Sequence, residues 1–127
     1  MARPAASELT QRELEVMHVF WRHGQLSAAD ARDHLAAQEV DRAYVTVANL
    51  VRILVEKGFL EATNDERPFQ YRPVRGFQEV SRNLVKELVQ RVFHGSREEL
   101  LVQILGQKKL TAKERAAIEQ ILKEQEK

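Results

Sequence analysis

The sequence contains no cysteine, which removes disulfides, thiolate nucleophiles and cysteine-ligated metal centres from consideration. It has no apolar run near the roughly 18 residues that a bilayer crossing needs, so no membrane span is expected. Its opening stretch, Met1-Ala2-Arg3-Pro4-Ala5-Ala6, lacks the apolar centre of a secretion signal, which places the chain in the cytoplasm and reads as a disordered tail over residues 1–8. An excess of charge of one sign is missing too. The chain has 20 basic and 19 acidic side chains; residues 1–75 carry 10 and 11 of them, a balance of −1, and residues 76–127 carry 10 and 8, a balance of +2. Any contact with nucleic acid must therefore come from the local placement of a few side chains, not from a basic domain.

What is present is an ordinary soluble composition, 43% hydrophobic and 31% charged over 127 residues, enough for one compact domain with a helical appendage but too short for two full cores. Thr10-Gln11-Arg12-Glu13 has the form of a capping box, and Leu14, Val16, Met17, His18, Phe20 and Trp21 follow at helical spacing. Gly24 sits where a left-handed cap is wanted. The first helix is expected over 11–23. Ser27 caps a second, in which Ala28, Ala31, Leu35 and Ala36 face inward and which ends before Glu39. A third is expected over 42–57, with Tyr44, Val47, Leu50, Val51 and Leu54 on its inner face and Gly58 closing it. Phe59–Thr63 and Pro68–Arg72 then read as two short strands around Asn64-Asp65-Glu66-Arg67. Three helices followed by a hairpin spell a winged helix-turn-helix domain over 9–75, in a chain that is mostly α with a small β-hairpin wing.

Helical periodicity resumes at Gly76. Phe77, Val80, Leu84, Leu88 and Val92 share one stripe, with Val85, Val89 and Phe93 beside it. His94-Gly95-Ser96 breaks the helix, Ser96 caps a segment carrying Leu100, Leu101, Ile104 and Leu105, and Thr111-Ala112-Lys113-Glu114 is a second capping box before Ile118, Ile121 and Leu122. Residues 76–127 thus form a helical segment with more apolar side chains than its short helices can bury alone. Pairing of two copies through Leu84, Leu88, Val92, Leu100, Leu101, Ile104, Leu105, Ile118, Ile121 and Leu122 would set two reading heads on one two-fold axis; folding back onto the winged domain is the other solution.

A helix seated in the major groove needs short or hydrogen-bonding side chains on its outer face near its N-terminus. Val45, Thr46 and Asn49 fit: the two methyl-bearing side chains suit a thymine methyl, and an asparagine amide suits adenine. Arg42 and Arg52 flank them at phosphate distance, and Arg67 and Arg72 on the hairpin can grip phosphates beside the groove. An exposed helix face and solvated strand charges of no special role are the competing readings of the same residues. Thr10 and Ser27 are fully explained by capping, and Trp21, Tyr44, Phe59 and Tyr71 by the core. His18, His23, His34 and His94 lack a metal-ligand spacing. Ser7, Ser27, Ser81 and Ser96 precede or cap helices, so neither a cofactor nor a catalytic centre is expected.

Taken in order, Leu9-Thr10-Gln11-Arg12-Glu13-Leu14-Glu15-Val16-Met17 through Trp21, Thr46-Val47 with Leu50, and Leu54-Val55-Glu56-Lys57-Gly58 resemble the BlaI/MecI-type penicillinase repressors. Phe69-Gln70-Tyr71-Arg72-Pro73 is similar to that family's second wing strand, and Val92-Phe93-His94-Gly95-Ser96 with Leu100 and Leu101 to its dimerisation segment, so the resemblance spans roughly residues 9–123. It implies a homodimer that blocks transcription from a palindromic operator with TACA-like half-sites, in control of β-lactam resistance or a related stress operon. It also implies, for some members, release after a membrane sensor protease triggers cleavage at an Asn-Phe bond in the C-terminal segment. Gln103-Ile104 stands at the matching pair here, a departure that bears on proteolytic release and not on DNA binding. Val45 and Ala48 stand where relatives often carry polar groups. The absence of cysteine sets the chain apart from the family's copper-responsive branch. Two other functions fit the residues alone: a winged-helix protein-interaction module without DNA binding, and a regulator that responds to a small ligand.

Overall fold

A computed structural model describes residues 9–106 and 109–125; the tail expected over residues 1–8 lies outside them. The chain folds as α1 (Gln11–His23), β1 (Leu26–Ser27), α2 (Ala28–Ala37), α3 (Tyr44–Glu56), β2 (Leu60–Ala62), β3 (Gln70–Pro73), α4 (Phe77–Phe93), α5 (Arg97–Leu105) and α6 (Ala112–Gln125). It is mostly α with a small antiparallel sheet, and it divides into two units, one ending at Val85 and the other beginning at Lys86.

The first unit is a winged helix. Thr10 and Glu13 form the reciprocal capping box at the start of α1: the Glu13 amide donates to the Thr10 hydroxyl at 3.1 Å and the Thr10 amide to a Glu13 carboxylate oxygen at 2.9 Å. Ser27 and Asp30 repeat the device at α2, with distances of 3.1 and 3.2 Å. Val16, Met17, Val19 and Phe20 of α1, Ala31 and Leu35 of α2, Val47, Val51 and Leu54 of α3, and Phe59 and Leu60 after it are buried in one core. Val80 of α4 is buried in the same core and Leu84 packs against it half-buried, so the apolar cluster of this unit continues beyond residue 75.

Two helix ends shape the connections. After α3, Gly58 adopts φ 83°, its amide donates to the Val55 carbonyl, and the Phe59 amide donates to the Leu54 carbonyl at 2.9 Å. This is a Schellman motif, with Phe59 and Leu54 supplying its apolar contact. The same pattern closes α2, where the Glu39 and Val40 amides donate to the Ala36 and Leu35 carbonyls. There the left-handed position (φ 64°) is taken by Glu39, a residue type that pays a steric penalty in that conformation. Gly24 has φ 84° and ψ −126°, a conformation open essentially to glycine alone. It turns the chain into β1 instead of capping α1 in the left-handed helical region.

β1 was not evident from the sequence because two residues give no alternation to read. It pairs Leu26 with Tyr71 and Ser27 with Gln70, while β2 pairs Leu60, Glu61 and Ala62 with Pro73, Arg72 and Tyr71; the sheet order is β1-β3-β2. The third helix begins at Tyr44, two residues later than expected, and Tyr44 is 51% exposed and not part of the core. Its place in the first turn swings it out past the last core-facing position. Ala36, expected inward, is exposed, as is His18 at the rim of α1, where its ring lies edge-on to Trp21 at 5.2 Å. Histidines 23 and 34, distant in sequence, stack at 3.7 Å between the ends of α1 and α2. Partial desolvation and the neighbouring charge of His34 and Arg22 hold the His23 imidazole below its usual value.

Arg75 anchors the exit from the wing. It is buried, its guanidinium lies 4.7 Å from the Phe59 ring and donates from Nε to Glu79, and its carbonyl accepts from the Trp21 indole at 2.9 Å. In the second unit Ser96 caps α5 by accepting from the Glu99 amide, and Thr111 and Glu114 cap α6 reciprocally. No residue of α5 or of α6 is buried.

Glu13 has a second role. Only 3% exposed, it accepts from the Lys57 ammonium at 2.8 and 3.1 Å, joining the N-terminus of α1 to the C-terminus of α3. Burial alone would raise its pKa, but the Lys57 ammonium and the Thr10 amide outweigh it and hold the carboxyl below its ordinary 4.5. A depressed folded value means that this stabilisation is complete above about pH 4.5 and is lost as pH falls through the folded value. We expect Lys57→Met to lower unfolding free energy by about 1–3 kcal/mol at pH 7, since it strands a buried carboxylate. In urea titrations the gap between the two proteins should close as pH drops below 4; a gap that stays constant with pH would refute the assignment.

Candidate nucleic-acid interface

The outer face of α3 is a single stripe at helical spacing: Val45, Asn49, Arg52 and Glu56 lie four, three and four residues apart. Val45 is 76% exposed, Asn49, Arg52 and Glu56 are exposed, and Thr46 beside them is half-buried. Of the predicted base-reading residues, Val45 and Asn49 therefore share one exposed stripe, and Thr46 borders it half-buried. They are not independent, since Asn49 Oδ1 accepts from Arg52 Nη2 at 2.7 Å and Arg52 Nη1 donates to Glu56 at 2.7 Å. Asn49 is thereby held with its carbonyl toward the C-terminal half of the helix. Ala43, the residue preceding α3, supplies no side-chain cap, and the first turn holds no acid. At this end no side chain caps the first-turn amides, whereas at α1 and α2 the Glu13 and Asp30 amides donate to the Thr10 and Ser27 hydroxyls.

The four predicted phosphate-contacting arginines surround this stripe in different states. Arg42, just before α3, is half-buried and donates to Glu15 of α1 at 3.3 Å. Arg72 on β3 faces Glu61 across the β2–β3 ladder, and the pair closes at 2.6 Å. Arg67 is exposed near the wing tip, 6.0 Å from the Phe69 ring. Three of the four, Arg42, Arg52 and Arg72, are thus paired with carboxylates of the same unit, a feature that charge counting could not show. Between the wing and α3 lies an open cleft of about 530 Å³, bordered by Ser27, Tyr44, Ala48, Arg67, Phe69 and Tyr71. Tyr44 and Phe69 are the members that sequence reasoning missed as surface groups; an aromatic at a helix start reads as core unless the exact first residue is known.

The wing holds its shape through Asn64. Its Nδ2 donates to the Pro68 carbonyl at 3.2 Å, its Oδ1 accepts from the Gln70 amide at 2.9 Å, and the Thr63 amide donates to the Gln70 carbonyl at 2.8 Å. One side chain therefore bridges both sides of the loop that carries Arg67.

The remaining predicted residues are on the helices that follow. Leu84 belongs to the first unit. Leu88, Val92, Leu101, Ile104, Leu105, Ile118, Ile121 and Leu122 are between 36% and 59% exposed, and Leu100 is half-buried. Gln103 and Ile104 lie within α5, both exposed. No helix among the described residues is long and apolar enough to cross a membrane, and no group of three or more His, Cys, Asp or Glu side chains among them is placed to hold a metal ion.

Comparison with known proteins gives a family model described as penicillinase repressor that matches residues 9–124. The methicillin resistance regulatory protein MecI of Staphylococcus aureus strain N315 is 24% identical over 115 residues, covering 91% of this chain and 93% of MecI. An uncharacterized 16.5 kDa protein from the ptsI 3' region of Latilactobacillus sakei is 28% identical over 116 residues, 91% of this chain and 79% of that protein. Among solved structures, the DNA-binding domain of the repressor BlaI matches with a TM-score of 0.52 at 23% identity, over 61% of this chain and 93% of that one. A mutant MarR from E. coli, complexed with operator DNA, matches at 0.51 and 19% identity over 94% and 79%. These structural likenesses are likenesses of fold.

If Asn64 is the brace of the wing, Asn64→Ala should speed hydrogen exchange at the Gln70 and Thr63 amides by an order of magnitude or so, while global stability falls by no more than about 1 kcal/mol. Unchanged exchange at both amides would show that the loop is held by something else.

Proposed function

The chain belongs to the penicillinase repressor family, and from that premise we propose that this DNA-binding transcriptional repressor acts as a homodimer on a palindromic operator, read by α3. The observation that carries the proposal is the outer stripe of α3, where short and hydrogen-bonding side chains stand exposed beside arginines and between a helix N-terminus without a side-chain cap and the wing. Val45 and Thr46 offer methyl groups to thymine, Asn49 offers its amide to a base edge, and Arg42, Arg52, Arg67 and Arg72 hold phosphates on either side. Tyr44, exposed at the first turn, adds a hydroxyl at the same edge of the cleft.

Dimerisation is supported by the second unit. Its α5 and α6 bury no residue of their own, and Leu101, Ile104, Ile121 and Leu122 are each more than half exposed, more apolar surface than short helices keep in water without a partner. Release by a sensor protease at Gln103-Ile104 would require α5 to unwind, since proteolysis acts on extended backbone and this bond lies inside a helix. Control of a β-lactam resistance operon is the resemblance's suggestion, supported by the relationship to MecI.

Two measurements test the reading. On a panel of single-base operator variants, Asn49→Ala should relax selectivity at one base position by about 1–3 kcal/mol, whereas Arg52→Ala should weaken binding to every sequence alike and flatten the salt dependence by up to ~0.9 in logarithmic slope. Uniform weakening by Asn49→Ala would remove it from base reading. In sedimentation the wild type should run as a dimer at micromolar concentration and the Ile121→Asp, Leu122→Asp double variant as a folded monomer. A wild-type monomer that ignores duplex DNA in dilute salt would overturn the proposal.

A further inference from the structure

On the outer face of α3 and the wing, Arg52 and Arg72 are already paired with carboxylates. Arg52 is paired with Glu56 at 2.7 Å and Arg72 with Glu61 at 2.6 Å, all four side chains being between 46% and 62% exposed. Neither pair is needed to build the fold: one joins residues a helical turn apart on a solvent face, the other lies across an exposed strand pair. Exposed pairs of this kind are weak and exchange partners readily, so a phosphate can displace the carboxylate. The displaced carboxylate then remains beside the phosphate backbone and repels it.

Resting on the DNA-binding reading, we propose that Glu56 and Glu61 set the strength of DNA binding by holding Arg52 and Arg72 on the protein until base contacts seat α3. On a non-operator duplex, binding depends almost wholly on arginine-to-phosphate charge, and each arginine stays shared with its own carboxylate. On the operator, the contacts of Val45, Thr46 and Asn49 fix the helix in the groove, and the arginines move from carboxylate to phosphate. Glu56 acts at two positions, because the arginine it holds also donates to Asn49 Oδ1. The self-pairing accounts for a DNA reader whose N-terminal 75 residues carry 10 basic and 11 acidic side chains.

The test uses the full chain and two probes: a duplex selected by the wild type from a randomised pool, and a scrambled duplex of the same composition. Glu56→Gln and Glu61→Gln should each raise affinity for the scrambled duplex roughly two- to five-fold in low salt, and together roughly ten-fold. The double variant's salt dependence should be steeper. The gain on the selected duplex should be at least as large, because there each arginine leaves its carboxylate and the carboxylate is left beside the phosphates. Glu66→Gln is the control: it removes the same charge from the exposed wing loop at a residue for which the structure shows no ion pair, and it should change neither affinity appreciably. A gain confined to the scrambled duplex, no gain on either, or a Glu66→Gln gain as large as that of Glu61→Gln would each overturn the inference. A wild type that selects no duplex at all would overturn the DNA-binding reading instead, and is told apart by having no affinity to compare.

Discussion

The winged unit depends on a carboxylate used twice. Glu13 closes the capping box of α1 and also receives the Lys57 ammonium from the end of α3. A buried carboxylate is stable only when its oxygens are met, and here a backbone amide and an ammonium meet them from two elements. The consequence is geometric: the first turn of α1 fixes where α3 ends, and the Schellman motif at Gly58 then sends Phe59 into the core and the chain into the wing. The ionic contact and the turn beside it thus join the shared core in setting the outward stripe of α3 and the strands that flank it.

That much of the architecture was legible in the sequence because its signals are local. A Thr-x-x-Glu box, a serine before an alanine-rich stretch and a glycine after an apolar helix each report their own hydrogen-bonding requirement, and the observed starts of α1 at Gln11 and α2 at Ala28 and the turn at Gly58 after α3 follow them. What could not be read are features created by tertiary placement. A two-residue strand has no periodicity, and Glu39 in the left-handed region looks like any other glutamate. Tyr44 was assigned to the core because it lies three residues before Val47 at helical spacing, but it sits one turn beyond Val47 at the open cleft beside the wing. Arg75, buried against Phe59 with its carbonyl held by Trp21, carried no signal at all.

At the reading face, the residue types were legible and their state was not. Counting charges gave a nearly neutral N-terminal half, which is an awkward property for a DNA reader. The arrangement adds what the count lacks: Arg42, Arg52 and Arg72 are each matched by a carboxylate contributed from another position of the same unit. Net charge is a sum over the chain, whereas binding to a polyanion responds to which charges are free to exchange partners.

On the proposed reading, a head built this way would bind weakly by itself, because every phosphate contact at Arg52 or Arg72 would first have to be taken from Glu56 or Glu61. Weak single-site binding is useful when two sites are joined. Linking two heads makes the second binding event intramolecular, so the pair gains orders of magnitude over one head without any new contact to DNA. On the proposed homodimer, occupancy of the operator then depends steeply on whether the apolar faces of α4 to α6 remain paired. Any event that separates them, cleavage within α5 included, lowers affinity by far more than the loss of any one base contact. On the proposed reading, the self-paired arginines and the exposed C-terminal helices are parts of one device: the first would keep a lone head off the duplex, and the second would decide when two heads act together.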